Sequence, residues 1–427
     1  MINLSLDKFV FVFLFLFRYF RLFVHLLSFW VLYRPKPIPK HPKIGTKDCT
    51  VVIPTIDPQN SWFTKCLESI AANHPGAIYI VTVGNSLLEQ TERIVHPIRT
   101  RYPNLHIEVS SCPIASKRIQ LAHVIPKIPA STKVIALVDD HVTWPSTAFL
   151  RTALAPFEEP NVGLVGTNKR VVRLDHGSGL SGLWGGFWNF LGAVYLERHN
   201  FEIRATSSID GGVFVISGRT SLHRASILRD PAFLHSFQNE KVLGFGPIAA
   251  DDDNHITRWN VRHGWDIRIQ YCEDAMIETT VGEYPRYLSQ CLRWVRTTWR
   301  SNSCTLFTDR TVWKRQPWSV YAIHLTSLVN FALFYDAGLI YSLKQTAWAK
   351  ENGIVVTYLI LWIFASKMIK LVPYFLRHPH DLIYIPGYIL FAYYHSLIKL
   401  WALVTFGSNA WCGRNLAAVE AADVEKR

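Results

Sequence analysis

Cysteine is scarce and unpatterned in this chain. There are seven in 427 residues, an odd number with no CxxC pair and no zinc-site spacing, which excludes a small disulfide scaffold. The thiols read as ordinary reduced cysteines of a cytosolic domain. Charge is also sparse: 18 % of residues are charged against 49 % hydrophobic. That balance excludes an intrinsically disordered chain, because there is ample apolar surface for a core. Negative charge is the scarcer sign, with 32 Asp and Glu against 45 Lys and Arg, a net +13. The excess points to an anionic partner: nucleic acid, lipid headgroups or a phosphorylated substrate. Internal repeats and low-complexity segments are absent, and the length corresponds to two or three domain-sized units.

Long apolar runs are missing between Tyr33 and Trp318 but present on both sides. Phe9 to Tyr33 is broken only by Arg18, Arg21 and His25. It is too long for the apolar part of a signal peptide and lacks a small-x-small cleavage site after it. It is long enough to cross a bilayer. Arg34, Lys36, Lys40, Lys43 and Lys47 follow it, whereas only Asp7 and Lys8 precede it. The basic flank belongs in the cytosol, which predicts an anchor with its N-terminus outside. An interfacial helix with Arg18 and Arg21 snorkelling to the headgroups is the other reading. Trp318–Leu343, Gly353–Leu376 and Leu382–Phe406 are three further stretches of spanning length. Asp336, Lys367 and Lys370 within them are expected to face a bundle interior, a pore or an interface. The intervening section is then a folded cytosolic domain. Its basic residues cluster beside membrane segments, which argues for a lipid bilayer and against nucleic acid as partner.

That domain begins with alternating strand and helix text. Thr50–Ile53, Ile78–Val83, Ile107–Ser110 and Val134–Val138 are short β-branched runs, and Trp62–Ala72 has helical spacing. The alternation predicts an α/β fold with a mostly parallel sheet covered by helices, whose ligands bind beyond the carboxyl ends of the strands. Val138-Asp139-Asp140-His141 follows such a strand. Two carboxylates there suit a hard divalent cation gripping a pyrophosphate, although a helix N-cap or Asx-turn uses the same residues. His141 fits either a metal ligand or a hydrogen-bonded neighbour of one. Asp251-Asp252-Asp253 opens a second helical stretch. Crowded carboxylates raise at least one pKa, which suits a general base, while an acidic helix start is also favoured by the helix dipole. In Gln290-Cys291-Leu292-Arg293-Trp294, residues Gln290, Arg293 and Trp294 share one helical face. Arg suits a phosphate and Trp a sugar ring, and Arg and Trp are equally at home on a helix at a membrane surface.

These elements, in this order and between apolar segments, resemble the processive family-2 glycosyltransferases: hyaluronan, chitin and cellulose synthases, and most nearly the fungal polysaccharide synthases related to hyaluronan synthase. The resemblance covers about Val51 to Arg414, and Gln-x-x-Arg-Trp is its most specific part. It implies a GT-A (Rossmann-like) domain and inverting transfer from a UDP-sugar to a growing polysaccharide, which is extruded through the C-terminal helices. By the same resemblance, Asp140 and Asp139 bind Mg²⁺ or Mn²⁺ and through it the diphosphate. Asp253 is the base and Asp252 its neighbour. Gln290, Arg293 and Trp294 sit at the channel mouth, with Trp294 stacking on the acceptor sugar. Ser116-Lys117-Arg118 is similar to the Gly-Lys-Arg stretch at the nucleotide, and Ser217-Gly218 to the Ser-Gly element of the acceptor pocket. Trp411-Cys412-Gly413-Arg414 resembles a gating loop over the nucleotide.

The resemblance divides the chain into an anchor (1–34), a basic linker (35–48), the transferase domain (49–285), interface helices (286–317), membrane or interfacial helices (318–406) and a gating-loop tail (407–427). It implies a multi-pass protein of the plasma membrane, with a cytosolic catalytic domain and a role in cell-wall biogenesis. Three departures stand out. Val138 occupies the first position of the usual Asp-x-Asp. Val83, in Ile80-Val81-Thr82-Val83-Gly84-Asn85, occupies that of an Asp at the uracil. Three spans after a cytosolic domain would place Trp411 outside, so the stretch with Lys367 and Lys370 is read as interfacial. Two other functions fit less of the text: a transferase placing one sugar on a lipid carrier, and a silent cell-wall scaffold.

Overall fold

The computed structural model describes residues 6–408; Trp411 and Arg414 lie outside them. The first strands are β1 (Cys49–Pro54), β2 (Ala77–Val83), β3 (His106–Cys112) and β4 (Val134–Val138). They pair in parallel in the order β3-β2-β1-β4. The helices Ser61–Ala71, Gly84–Arg101 and Lys117–Val124 make the crossovers between them, as parallel neighbours require. β1, β2 and β4 are buried along their whole length. Successive side chains feed two cores, one on each face: Val51 and Ile53 pack with Phe63, Leu67 and Ile78, whereas Val52 packs with Tyr79, Leu121 and Ile135. A strand covered on both faces has no polar side, which is why these segments read as continuous apolar runs.

The remaining strands are β5 (Val142–Thr143), β6 (Val162–Val171), β7 (Thr220–Arg224), β8 (Asp266–Gln270) and β9 (Met276–Thr279). β7 lies between β4 and β6 and is antiparallel to both. β8 and β9 run parallel to β6, and β5 closes the end against β9. The sheet is thus mixed and mostly parallel. Two strands are reversed, β5 at the edge and β7 in the interior. The reversal of β7 was not foreshadowed by the text, and it shapes the site.

The helix Leu6–Leu27 continues to Leu32 and then gives way to extended chain at Tyr33. Leu6–Leu32 and Pro379–Val404 are long and apolar enough to cross a membrane. Of the other two stretches, Pro317–Val329 and Ala332–Gln345 are bent by 93° relative to each other. Ile354–Ile369, in the stretch read above as interfacial, is only 16 residues long, short of a spanning length. Asp336 and Lys367 face inward as expected. Asp336 pairs with Arg18 of the N-terminal helix and, at 2.6 Å, with Lys367. Arg18 and Arg21 are turned to protein partners and do not snorkel.

A 32-residue helix, Gly179–Asp210, joins the two parts and is stopped by Gly211 at φ 72°, the left-handed cap that glycine adopts without strain. Phe201 of this helix stacks on Phe29 at 4.8 Å, and Ser28 donates to the Ala205 carbonyl at 2.6 Å.

Candidate active site

β4 delivers Asp139 and Asp140 to its carboxyl end. Because β7 runs against β4 in the register Val138↔Thr220, the turn Ser217-Gly218-Arg219 enters beside them, and the Asp139 amide donates to the Arg219 carbonyl at 3.0 Å. The helix Asp252–Arg262 brings its first turn to the same place. Gly218 donates its amide to Asp253 Oδ2 at 3.3 Å. A Cβ on Gly218 would lie 2.9 Å from Lys117 Nζ and 3.4 Å from Asp252 Oδ2, so a side chain here would displace the Lys117 ammonium.

Lys117 ties the two acidic groups together. Its Nζ lies 2.7 Å from Asp139 Oδ1 and 2.9 Å from Asp252 Oδ2. Burial alone would pull this ammonium down, but the two carboxylates hold it above the ordinary lysine range. The converse holds for Asp252: burial pushes its carboxyl up, and Lys117 more than offsets this and keeps it ionised. Asp253 has no such cation in contact. Burial first, and then the Asp252 charge, push its pKa up to about 6. Adjacent carboxylates therefore differ in proton affinity, as in acid–base sites generally. Asp140 is buried, accepts from Thr55 Oγ1 at 2.8 Å and lies 3.1 Å from His141 Nδ1.

A cavity of about 320 Å³ opens over these groups. The helix Arg286–Ser303 forms its far wall with Gln290, Arg293 and Trp294. Trp294 stacks on Tyr195 of the long helix with centroids 4.6 Å apart, and the Arg219 guanidinium sits 5.9 Å from the Trp294 ring centre. Gln290 Oε1 accepts from the Gly282 amide at 3.2 Å. Lys117, Asp139, Asp140, Ser217, Gly218, Asp252, Asp253, Gln290, Arg293 and Trp294 thus share one cavity, from segments as far apart in the chain as 117 and 294.

Arg118 does not join them, contrary to the expected nucleotide contact. Its side chain is buried on the other side of its helix, paired with Glu240 at 2.6 Å and donating to the carbonyls of Phe237 and Ala250 at 2.7 and 2.8 Å. Neighbours on a helix point about 100° apart, and here Lys117 takes the cavity side while Arg118 is turned into the interior. Asp251 lines the cavity, but its carboxylate is taken up by Arg300 at 2.6 Å and by Thr297. Val83 is buried at the end of β2 and does not line the cavity.

The structure adds residues that the sequence reading missed. Lys169 is 2 % exposed on β6, lines the cavity and places Nζ 3.0 Å from His199 Nδ1. Burial and the Arg219 charge bring its pKa down to about 7. The only hint in the text was alternation: Val165, Thr167 and Lys169 share one face of their strand.

Among the described residues there is no group of three or more His, Cys, Asp and Glu that could hold a metal by itself. Asp139 and Asp140 nevertheless offer two carboxylates on the cavity wall. That donor set suits a hard divalent ion that takes its other ligands from phosphates and water, and does not suit a closed structural site.

The family model described as "Glycosyltransferase like family 2" matches residues 47–297. The chain belongs to this family of glycosyltransferases. A "Type 2 glycosyltransferase" of Gibberella zeae is 40 % identical over 413 residues, covering 95 % of this chain and 75 % of the relative. A hyaluronan synthase of Streptococcus pyogenes is a distant relative, 23 % identical over 51 % of this chain and 49 % of its own. Among solved structures, the mannosyltransferase PcManGT of Pyrobaculum calidifontis, in complex with GDP-Man and Mn²⁺, superposes with a TM-score of 0.54 at 14 % identity, covering 95 % of this chain and all of that one. The mixed, mostly parallel sheet of this family-2 enzyme is accordingly a GT-A fold.

Proposed function

We propose that this glycosyltransferase transfers a sugar from a UDP-sugar, with inversion, to the hydroxyl of a growing saccharide chain, and passes the product toward the membrane helices. The observation that carries this reading is the convergence of Asp139, Asp140, Asp252, Asp253 and Trp294 on one cavity. The diphosphate lies at the β4 end, beside Lys117, Asp139 and Asp140. Mg²⁺ or Mn²⁺ held by Asp140 and Asp139 would neutralise the diphosphate and improve UDP as a leaving group. Arg293 on the opposite wall adds positive charge where the leaving group gains negative charge. Asp253 accepts the proton of the acceptor hydroxyl, whose oxygen forms the new bond to the anomeric carbon from the face opposite the departing UDP. Trp294, held by Tyr195, presents an aromatic plane to the terminal acceptor sugar.

The apolar helices at both ends make this a multi-pass protein of the plasma membrane in our reading, with residues 49–285 as its cytosolic catalytic domain. A second reading, transfer of one sugar to a lipid carrier, draws on the 16-residue helix Ile354–Ile369, which leaves fewer crossing elements to build a conduit. Purified membranes incubated with radiolabelled UDP-sugars distinguish the two. Polymer retained by size exclusion supports chain synthesis, and a single sugar on extractable lipid supports the rival. Polymer yield unchanged by Asp253→Asn would show that the base is misassigned.

A further inference from the structure

A second cavity, of about 380 Å³, adjoins the first. Tyr195, His199 and Phe214 line both. The new cavity is walled by the N-terminal helix, the helix Gly179–Asp210, the helix Arg286–Ser303 and the C-terminal helices. Its charge is one-sided: among the described lining residues there are six Lys and Arg side chains and one carboxylate, Glu202. Glu202 pairs with Lys370 and His25, and Arg18 and Lys367 share Asp336 behind the wall.

Three cations remain with no carboxylate within ion-pair distance among the described residues. Arg21 donates to the Ala322 carbonyl and to Thr326 Oγ1, both at 2.8 Å. Lys399 donates to the carbonyls of Ser327 and Asn330, the latter at 3.0 Å. Arg198 has neither a hydrogen bond nor an ion pair there, and its exposed side chain lines the cavity. Glu202 lies near enough to Arg21 and Arg198 to attract both, but six lining cations still face only two carboxylates, Glu202 and Asp336. An excess of cations between membrane helices is costly and marks the route of a charged ligand. Tyr287, Tyr388, Thr298 and Ser396 provide stacking and hydroxyl contacts beside them. The lining also holds apolar side chains such as Leu191, Val194 and Ile323. What favours a saccharide is the mixture of aromatic rings and hydroxyls, continuous through Tyr195 with the cavity that holds Trp294.

We propose that this second cavity receives an anionic saccharide chain, one bearing carboxylate or phosphate groups, so that the acceptor and product of the transferase are acidic. The proposal rests on the chain-synthesis reading above and adds the charge of the chain. A neutral chain would use the aromatic and hydroxyl lining equally well, but it would leave the six lining cations matched only by Glu202 and Asp336.

The test titrates the full-length protein in detergent, carrying Asp253→Asn to prevent turnover. The probes are tetragalacturonate, phosphorylated maltotetraose, cellotetraose, tetra-N-acetylglucosamine and decaprenyl phosphate. One or both acidic tetrasaccharides are expected to bind at least tenfold more tightly than the neutral ones, and less tightly as salt rises. The better of the two identifies the anionic group. Arg198→Gln is expected to remove most of that preference and Arg198→Lys to keep it. Lys399→Gln is a second, independent variant with the expectation of Arg198→Gln. Equal binding of neutral and acidic chains, or tighter binding of decaprenyl phosphate than of either, overturns the proposal. UDP release by the protein with Asp253 intact is measured alongside with neutral and acidic UDP-sugars. Turnover into polymer with no acidic preference sinks this inference alone. An acidic preference without UDP release from any donor sinks the chain-synthesis reading, and with it the acidic acceptor and product, while the binding of an anionic saccharide by this cavity stands.

Discussion

Asp252 and Asp253 are adjacent in the chain and similarly buried, yet one is held ionised by Lys117 and the other is pushed up to about 6. The Asp253 base works only when deprotonated, so turnover is expected to rise with pH through about 6 and then level off. A pH–rate profile of UDP release checks this, and a flat profile between pH 5 and 7 removes Asp253 as the base. Replacing it by Asn is expected to lower turnover by roughly 10²–10⁴-fold. The same substitution is expected to stabilise the fold. A carboxyl raised in the folded state favours folding in its protonated form, and the penalty for ionising it grows from about pH 4 and is complete above about 6. Asn escapes that penalty, on the order of 2–3 kcal/mol, so its melting temperature at pH 7 should exceed that of the unaltered protein, with the difference vanishing near pH 4. Arg118 makes the contrasting case. Its charge is matched by Glu240 in the interior, so Arg118→Ala should cost about 3–5 kcal/mol of stability while leaving the affinity of the surviving folded fraction for UDP within about threefold. A thermal melt paired with UDP titration separates the two effects.

At the scale of elements, legibility followed burial. β1, β2 and β4 have covering helices on both faces, so their apolar runs were visible, and Trp62–Ala72 was placed within one residue of the helix Ser61–Ala71. The acidic pairs were readable because strand ends and helix starts are where such residues gather. The reversal of β7 was not, since a five-residue strand carries no mark of its direction. The long helix Gly179–Asp210 escaped for another reason. It is packed by the sheet domain and by membrane helices on different sides, which erases the single apolar stripe that periodicity detects. Lys169 on β6 and Tyr195 on that helix were therefore invisible as site residues, although both line the cavity. The helix Arg286–Ser303 is where element and function meet, because Trp294 is stacked on Tyr195. Trp294→Ala removes a plane worth about 0.5–1.5 kcal/mol in stacking. An acceptor KM raised roughly 3–10-fold, with UDP affinity unchanged, is the expected outcome in initial-rate kinetics. A loss confined to UDP binding would place Trp294 on the donor side.

Over the whole molecule, the helices at the two ends of the chain are joined through charges. Asp336 stands on a C-terminal helix, yet its partners are Arg18, 318 residues earlier, and Lys367 of the helix Ile354–Ile369. The three side chains are buried or nearly so, and the helices they join also carry an apolar cluster of Tyr19, Leu22, Leu339 and Ile363. A buried group of this kind contributes little relative to an apolar replacement, but removing one member leaves the others uncompensated. Asp336→Ala strands two cations, so the full-length protein in detergent should melt far lower, by an amount corresponding to about 3–5 kcal/mol. Replacing all three together, with Arg18→Met, Asp336→Leu and Lys367→Met, removes the charges as a set and should recover most of that loss. The helix Gly179–Asp210 packs on the N-terminal helix through Phe29 and Phe201 and supplies Tyr195 to the cavity, so loosening the membrane helices should reach the site. Turnover is expected to fall with Asp336→Ala and to return in the triple variant. A single variant that melts within a degree of the unaltered protein would show that the apolar cluster alone holds the two ends together.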